Sequence, residues 1–575
     1  MSAGLTDGFH LLVDALKLNA TATLYGLVGI PVTDLARVAQ TSGIRFIGFR
    51  TEASAGHAAA AAGFLTRRPG ICLTASGLGF LNGLTALANA TTNCFPMIQV
   101  SGSGARAMAD LQRGDYEELD QLNAARPFAK AAYRIGRIDD IGLGVARAVR
   151  TAVSGRPGGV YLDIPAEVLG QAIDADTAAG TIWRVVDPAP RQAPAPEAVE
   201  RAVNLLAQAR RPLVVLGKGA AYAQADAVVA KFVETTGIPF LPMSMAKGLL
   251  ADAHPQCVAA ARSLALGRAD VIVLLGARLN WLLGHGESPP WAPGAQFVQV
   301  DIAASEFDSN RPISAPLAGD IESVLVALLD RLAARPIVVP TSWTGELAER
   351  KAHNQAAMER RLADDPHPMR FHNALRAIRA VLAQHPEAYV VNEGANALDT
   401  ARNVIDMQLP RHRLDSGTWG VMGIGMGYAI AAAVETGQSV VAIEGDSAFG
   451  FSGMEFETIC RYRLPVTVVI LNNGGVYRGD EVPATGADPA PTVLNADARH
   501  EKLAEAFGGK GFHVTTPTEL HIALTEALAA KGPAIIDCAL DPAAGVESGH
   551  LTHLNPTSAA GPDRRGPEAR KADKQ

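Results

Sequence analysis

Aromatic residues make up only 5% of this 575-residue chain and charged residues only 19%, against 48% hydrophobic. So little charge excludes a solvated, disordered polymer and describes an Ala/Gly/Val-rich globular α/β protein. Positive charge is in deficit: 51 Lys and Arg face 58 Asp and Glu, a net charge of −7. That leaves no overall basic field for nucleic acid or an acidic membrane. Cysteine is scarce. Cys72, Cys94, Cys257, Cys460 and Cys538 show no CxxC spacing, and most sit in apolar runs. They read as thiols in a reducing compartment, not as a disulfide framework or a zinc site. No apolar run approaches the ~20 residues that span a bilayer. No secretory signal pattern is visible. The expectation is a cytoplasmic protein with no nucleic-acid or membrane partner.

What is present is organised around residues 440–478. An apolar run at 440–443 stops at Glu444-Gly445-Asp446-Ser447. A helix is expected next, opened by Ser452 with Glu455 three residues on, in the pattern of a capping box. Pro465 ends it, and a second apolar run at 466–471 stops at Asn472-Asn473-Gly474-Gly475. This β-α-β unit delivers Asp446 and Asn473 to the carboxyl ends of two parallel strands, where open α/β sheets bind ligands. A carboxylate and an amide oxygen at one sheet edge suit Mg²⁺, which completes its octahedron with phosphate oxygens. The glycines, with the Ser447 and Ala448 amides, let backbone N–H groups approach a diphosphate. Either turn alone would read as ordinary βα turn chemistry.

The rest of the chain alternates strand and helix patterns. Residues 46–52 read as a strand ending in Glu52, and 53–65 as a small-residue helix suited to close packing. A strand at 70–76 leads into Gly77-Leu78-Gly79, a helix opening that lacks the remainder of a dinucleotide fingerprint. Further strands are expected at 96–102 and 159–165. The proline-rich text 188–196 reads as a linker. Strands at 212–216, 271–275 and 297–300 follow, with Lys218, Arg278 and Asp301 at their exits. A second boundary falls near 363–368. Residues 556–575 are polar and read as a flexible tail.

The 440–478 segment resembles the diphosphate anchor of thiamine-diphosphate (ThDP) enzymes, Gly-Asp-Gly followed by Asn-Asn, with Ser447 replacing the third residue. The text 415–428 together with Glu547-Ser548-Gly549 resembles, within that superfamily, the oxalyl-CoA decarboxylases. The likeness runs from Leu5 to Gly549, with Leu78 where the family usually has Pro. It implies an α/β fold of three doubly wound parallel-sheet domains. These are a pyrimidine-binding domain at 1–185, a middle domain at 186–365 and a diphosphate- and Mg-binding domain at 366–555. It implies the metal ligands Asp446, Asn473 and Gly475, and cofactor contacts from Glu52, Phe371, Ala395, Asn396, Gly420, Val421, Met422, Ser447, Ala448 and Tyr477. Glu52 would hydrogen-bond the pyrimidine so that the cofactor acts as its own base. Met422 would wedge the two rings, though it could equally fill a core.

The resemblance also implies a substrate, oxalyl-CoA, split to formyl-CoA and CO₂ in oxalate catabolism. The reacting end would meet Tyr116, Glu117, Tyr477, Glu547, Ser548 and Gly549. The CoA handle would meet Ala261, Arg262, Asn354, Arg402 and Asn403. Taken singly, Tyr116, Glu117, Arg262 and Arg402 also read as surface residues. The middle domain would bind ADP as an activator through Arg156, Lys218, Arg278, Asp301 and Ile321, or be purely structural. Because Glu52 and Asp446 come from different subunits in this superfamily, a homodimer is the implied minimum and a homotetramer the implied assembly. The nearest rival is a 2-hydroxyacyl-CoA lyase releasing formyl-CoA and an aldehyde. Acetolactate synthase and a catalytically silent nucleotide-binding protein fit less well.

Overall fold

The computed structural model describes residues 4–483 and 487–547. Ser548, Gly549 and the 556–575 tail lie outside the described residues. By contact the chain groups into two units, one of Met1–Ala356 with Asp406–Gly437, the other of Ala357–Ile405 with Gln438–Gln575. The first unit holds two parallel sheets and the second holds one.

The first sheet has six parallel strands, in the order Arg45–Gly48, Thr23–Gly26, Gly70–Thr74, Met97–Ser103, Gly159–Pro165, Ala131–Arg134. Every residue of Gly70–Thr74 and Met97–Ser103 is buried, as expected where helices cover both faces of a parallel sheet. The winding direction reverses between Thr23–Gly26 and Gly70–Thr74, which opens a crevice at their carboxyl ends.

The expected small-residue helix forms as Glu52–Thr66, started by Thr51, whose Oγ1 accepts from the Ser54 N–H at 3.3 Å. The strand before it ends at Gly48, so Glu52 is not a strand-end carboxylate. It is the first residue of the helix, where an acidic side chain suits the helix dipole. The helix packs against Leu78–Asn93 and Gly425–Thr436. The second contact is close because Gly427 has no side chain. A methyl there would stand 2.6 Å from the Ser54 carbonyl oxygen and 3.0 Å from His57 Cβ.

The second sheet has five parallel strands, in the order Phe240–Pro242, Pro212–Leu216, Val271–Leu275, Gln296–Asp301, Ala315–Ala318. Trp291 and Trp343 are buried beside it, and Trp343 Nε1 donates to the Pro212 carbonyl at 3.0 Å.

In the second unit, five parallel strands run in the order Tyr389–Glu393, Val440–Gly445, Val466–Asn472, Ala534–Ala539, Lys510–Val514. Numbered along the chain this is first, second, third, fifth, fourth. The first sheet has the same succession once its edge strand Arg45–Gly48 is set aside. The capping box expected at Ser452 is absent. The helix begins at Asp446 and ends at Ser452, and a 3₁₀ turn, Gly453–Glu455, leads into Phe456–Arg461. Glu455 Oε2 accepts from Thr458 Oγ1 at 2.9 Å instead of reaching back to Ser452. The carboxylate that opens the helix is therefore Asp446 itself.

Candidate active site

In the second unit, Asp446 and Asn473 close neighbouring strands and are each 4% exposed. Asp446 Oδ1 accepts from the Ser447 N–H at 2.8 Å, and Oδ2 from the Gly475 N–H at 3.1 Å. Burial raises this carboxyl above the ordinary range, while backbone N–H groups of Ser447, Gly474 and Gly475 pull it back. A buried carboxylate so placed suits a cation, which relieves the same cost of desolvation. Asn473 Nδ2 donates to the Tyr477 carbonyl at 2.8 Å, which leaves Oδ1 as the amide atom for a metal. The turn is wound tightly enough to need its glycines. A methyl on Gly475 would stand 2.5 Å from the Arg478 carbonyl oxygen, and one on Gly479 would clash with the Asn473 carbonyl.

The late segment folds back on this turn. Gly479 N–H donates to the Pro542 carbonyl at 2.9 Å, Gly545 leaves no room for a side chain over the Tyr477 carbonyl, and Val546 N–H donates to Asn396 Oδ1 at 3.0 Å. Asn396 and Tyr477 are thereby gathered with Val546, the neighbour of Glu547. Ala395 opens the helix Ala395–Val404 directly after the strand beside Val440–Gly445. Phe371 is buried at the start of Phe371–Leu382, and the carbonyl of Met369, two residues earlier, accepts from the Asp541 N–H at 2.7 Å.

Asp446 and Ser447 line a cavity of about 460 Å³ with Asn472, Asn495 and His500. His500 is a residue that the sequence reading missed. Its ring faces Asp537, which raises its pKa, with smaller contributions from Asp446 and Glu501. No local pattern marks it, because residues 479–499 form no regular element among those described.

In the first unit, Glu52 is 7% exposed. Its Oε2 accepts from Asn82 Nδ2 at 3.1 Å, which leaves Oε1 for another donor. A methyl on Gly79 would stand 3.0 Å from Oε1, so only a bare backbone fits there. Glu117 is drawn in as well: its Cβ would lie 2.5 Å from a methyl on Gly77, the residue that opens the helix carrying Asn82. Tyr116 beside it is 69% exposed. Gly420, Val421 and Met422 lie in the loop before Gly425–Thr436, with Gly420 at φ +68° and Gly423 at φ +87°. The helices Gly425–Thr436 and Glu52–Thr66 thus tie this loop to the Glu52 carboxylate.

Among the residues expected at the CoA handle, Asn354 donates to the Ala260 carbonyl at 2.7 Å, next to Ala261 and Arg262. Arg262 donates to the Leu282 carbonyl at 3.1 Å. Arg402 and Asn403 belong to the other unit, where both bond Asp399. Arg156, Lys218, Arg278, Asp301 and Ile321 line one cavity of the first unit, together with Asn93, Phe95 and Tyr222. Arg156 donates to Asp301 at 2.8 Å and also pairs with Glu306. Burial, aided by the nearby Arg278 and Arg156, pushes the Lys218 amine down to about 7. Arg156, Lys218 and Arg278 thus converge on this cavity, with Asp301 offsetting part of their charge through Arg156.

Three family models match the chain: thiamine pyrophosphate enzyme, N-terminal TPP binding domain at residues 6–124, central domain at 199–328, and C-terminal TPP binding domain at 393–538. The chain belongs to the thiamine pyrophosphate enzyme family. Within that family it is 59% identical to an oxalyl-CoA decarboxylase of Escherichia coli (strain K12), covering 97% of this chain and 99% of the relative. It is 46% identical to a 2-hydroxyacyl-CoA lyase of Oryza sativa subsp. japonica, covering 96% and 98%. It is 41% identical to 2-hydroxyacyl-CoA lyase 1 of Homo sapiens, covering 94% and 95%.

Proposed function

We propose that this chain is a carboxy-lyase that converts oxalyl-CoA to formyl-CoA and CO₂ with ThDP and Mg²⁺, in oxalate catabolism in the cytoplasm. The observation that carries this reading is the 59% identity to an oxalyl-CoA decarboxylase over nearly the whole of both chains, against 46% for the rice lyase. When bound, ThDP supplies the nucleophilic carbon and the electron sink that the twenty side chains lack.

The chain's own residues supply binding and orientation. Asp446, Asn473 and the Gly475 backbone would hold Mg²⁺, with the Ser447 and Ala448 amides turned to the diphosphate. Glu52, oriented by Asn82, would hold the proton shared with the pyrimidine, and Gly420, Val421 and Met422 would seat that ring. Phe371, Ala395 and Asn396 would complete the cofactor contacts. Tyr477 would orient the departing carboxylate by its hydroxyl without neutralising it as an arginine would. Loss of CO₂ is favoured where water is kept from that carboxylate. Tyr116 and Glu117 would hold the water that returns the proton. Glu547 and, outside the described residues, Ser548 and Gly549 would contact the substrate, and Ala261, Arg262, Asn354, Arg402 and Asn403 would hold CoA.

We assign ADP to the cavity of Arg156, Lys218, Arg278, Asp301 and Ile321. Asp301 is suited to a ribose and the cations to phosphates. A homodimer is the minimal unit of this reading and a homotetramer its assembly.

The second reading is a 2-hydroxyacyl-CoA lyase, favoured by the full-length similarity to plant and human lyases. Protein reconstituted with ThDP and Mg²⁺ is given oxalyl-CoA and, separately, a 2-hydroxyacyl-CoA. CO₂ and formyl-CoA from the first are expected. Aldehyde from the second with no CO₂ from the first assigns the protein to the lyases.

A further inference from the structure

The nucleotide cavity and the loop carrying Gly420 and Met422 meet at one side chain. Asn93, the last residue of the helix Leu78–Asn93, is 1% exposed and uses both ends of its amide. Oδ1 accepts from the Thr418 N–H at 2.8 Å and from the Lys218 ammonium. Nδ2 donates to the Ser416 carbonyl at 3.1 Å and to Asn89 Oδ1 at 2.6 Å.

The cations of the cavity reach the same loop. Lys218 Nζ donates to Thr418 Oγ1 at 3.0 Å, and Arg278 reaches Thr418 Oγ1 at 3.4 Å and the Thr92 carbonyl at 2.8 Å. Trp281 Nε1 holds the Thr418 carbonyl at 2.8 Å. Gly417, at φ +64°, lies directly over the pair: a methyl there would clash with Asn93 Oδ1 and stand 3.1 Å from Lys218 Nζ. From Asn93 the network runs on through Asn89, whose Nδ2 donates to Tyr428 Oη at 3.0 Å and lies 3.3 Å from His57 Nδ1, on the helix that starts at Glu52.

An ammonium has three N–H donors. Two of those on Lys218 are spent on Asn93 and Thr418; the ammonium lies 5.4 Å from the Phe95 ring centroid, and its third N–H faces that ring or an anion in the cavity. A phosphate there favours the charged amine, and a charged donor makes the stronger hydrogen bonds to Asn93 and Thr418.

We infer that Asn93 and Thr418 are positioning residues that couple the nucleotide cavity to the 416–422 loop, so that nucleotide and ThDP each tighten the binding of the other. This rests on the assignment of ADP to that cavity. Reciprocity is required of any such coupling.

The test measures the affinity of ThDP with Mg²⁺, with and without saturating ADP, in wild type and in the nearly isosteric Thr418→Val. Amide hydrogen exchange of 416–422 is followed in parallel. ADP is expected to tighten ThDP binding roughly 5- to 10-fold in wild type, the low end of allosteric couplings, and to slow exchange in the loop. In Thr418→Val both ligands still bind, but the factor falls towards one and ADP no longer slows the exchange. A wild-type factor of one, or a full factor kept in Thr418→Val, overturns the coupling while leaving ADP in its cavity. Absence of ADP binding overturns the nucleotide assignment and the coupling together.

Discussion

Replacing Gly427 by Ala tests whether the packing of two helices sets the Glu52 geometry. The added methyl meets the Ser54 carbonyl oxygen at 2.6 Å, His57 Cβ at 3.0 Å and the Ala58 nitrogen at 3.2 Å. Two of these three atoms are backbone, so no rotamer change relieves them, and the helices must part by roughly 0.5 Å at this level. Overpacking of this kind costs about 1–3 kcal/mol. Alanine in place of glycine inside a helix returns about 1 kcal/mol. The net loss of stability is then about 0–2 kcal/mol, small for a unit this large. The functional effect is the larger one. Ser54 is two residues from Glu52, and Gly427 is five from Met422, so the parting shifts both of these residues, each proposed to meet a pyrimidine ring. A displacement of about half an ångström at a proton-sharing contact costs roughly tenfold in rate. The assay is deuterium exchange at the thiazolium carbon of bound ThDP, with thermal unfolding alongside. A variant that melts higher than wild type and exchanges at the wild-type rate would show that the close approach does not set the site.

Glu52→Gln, nearly isosteric, keeps most ThDP affinity and abolishes activation of the cofactor, seen as loss of the same exchange; an unchanged exchange rate refutes the role of Glu52. Asp446→Ala loses Mg²⁺ and ThDP together, checked by metal analysis and cofactor stoichiometry of the purified protein; retention of both places the anchor elsewhere. ADP binding takes up protons at Lys218. With a free amine near 7 that returns towards its ordinary value beside phosphate, uptake is about 0.9 proton per site at pH 8 and about 0.1 at pH 6. Calorimetry in buffers of different ionisation enthalpy reads this directly, and no uptake at pH 8 refutes it. The same shift gives the ADP-free protein a stability contribution that rises with pH from about 7 to about 10.5, since the unfolded chain binds more protons in that window.

The central β-α-β unit was legible because both of its strands are buried and read as almost wholly apolar runs, broken before their polar ends only by Thr467. The residue pattern placed Asp446 and Asn473 at strand ends, and the strands end there. Ser452 misled because Ser-x-x-Glu matches a capping box by composition, whereas the sheet had already started the helix at Asp446. The strands Phe240–Pro242 and Ala315–Ala318 escaped notice because they are three and four residues long, contain proline and lie at sheet edges, where proline is tolerated. The helix Thr341–Ala363 has a polar sequence with little apolar periodicity. The assignment of Arg156, Lys218, Arg278, Asp301 and Ile321 to ADP came from the family resemblance, since strand-exit charges alone name no partner. His500, Asn89 and Asn93 carried no signal. Their importance lies in contacts between residues far apart in the chain.

The close packing of Gly425–Thr436 on Glu52–Thr66 also bears on how the chain folds during synthesis. Roughly 360 residues separate the two helices, and at about 5–20 residues per second a ribosome needs about 20–70 s to cover that distance. Even after Gly159–Pro165 has completed the first sheet, one flank of this alanine-rich helix waits for Gly425–Thr436. A contact of such long range also slows the final folding step. Truncated chains that stop short of the second helix should therefore aggregate more readily, and that aggregation should fall sharply once residue 437 is included.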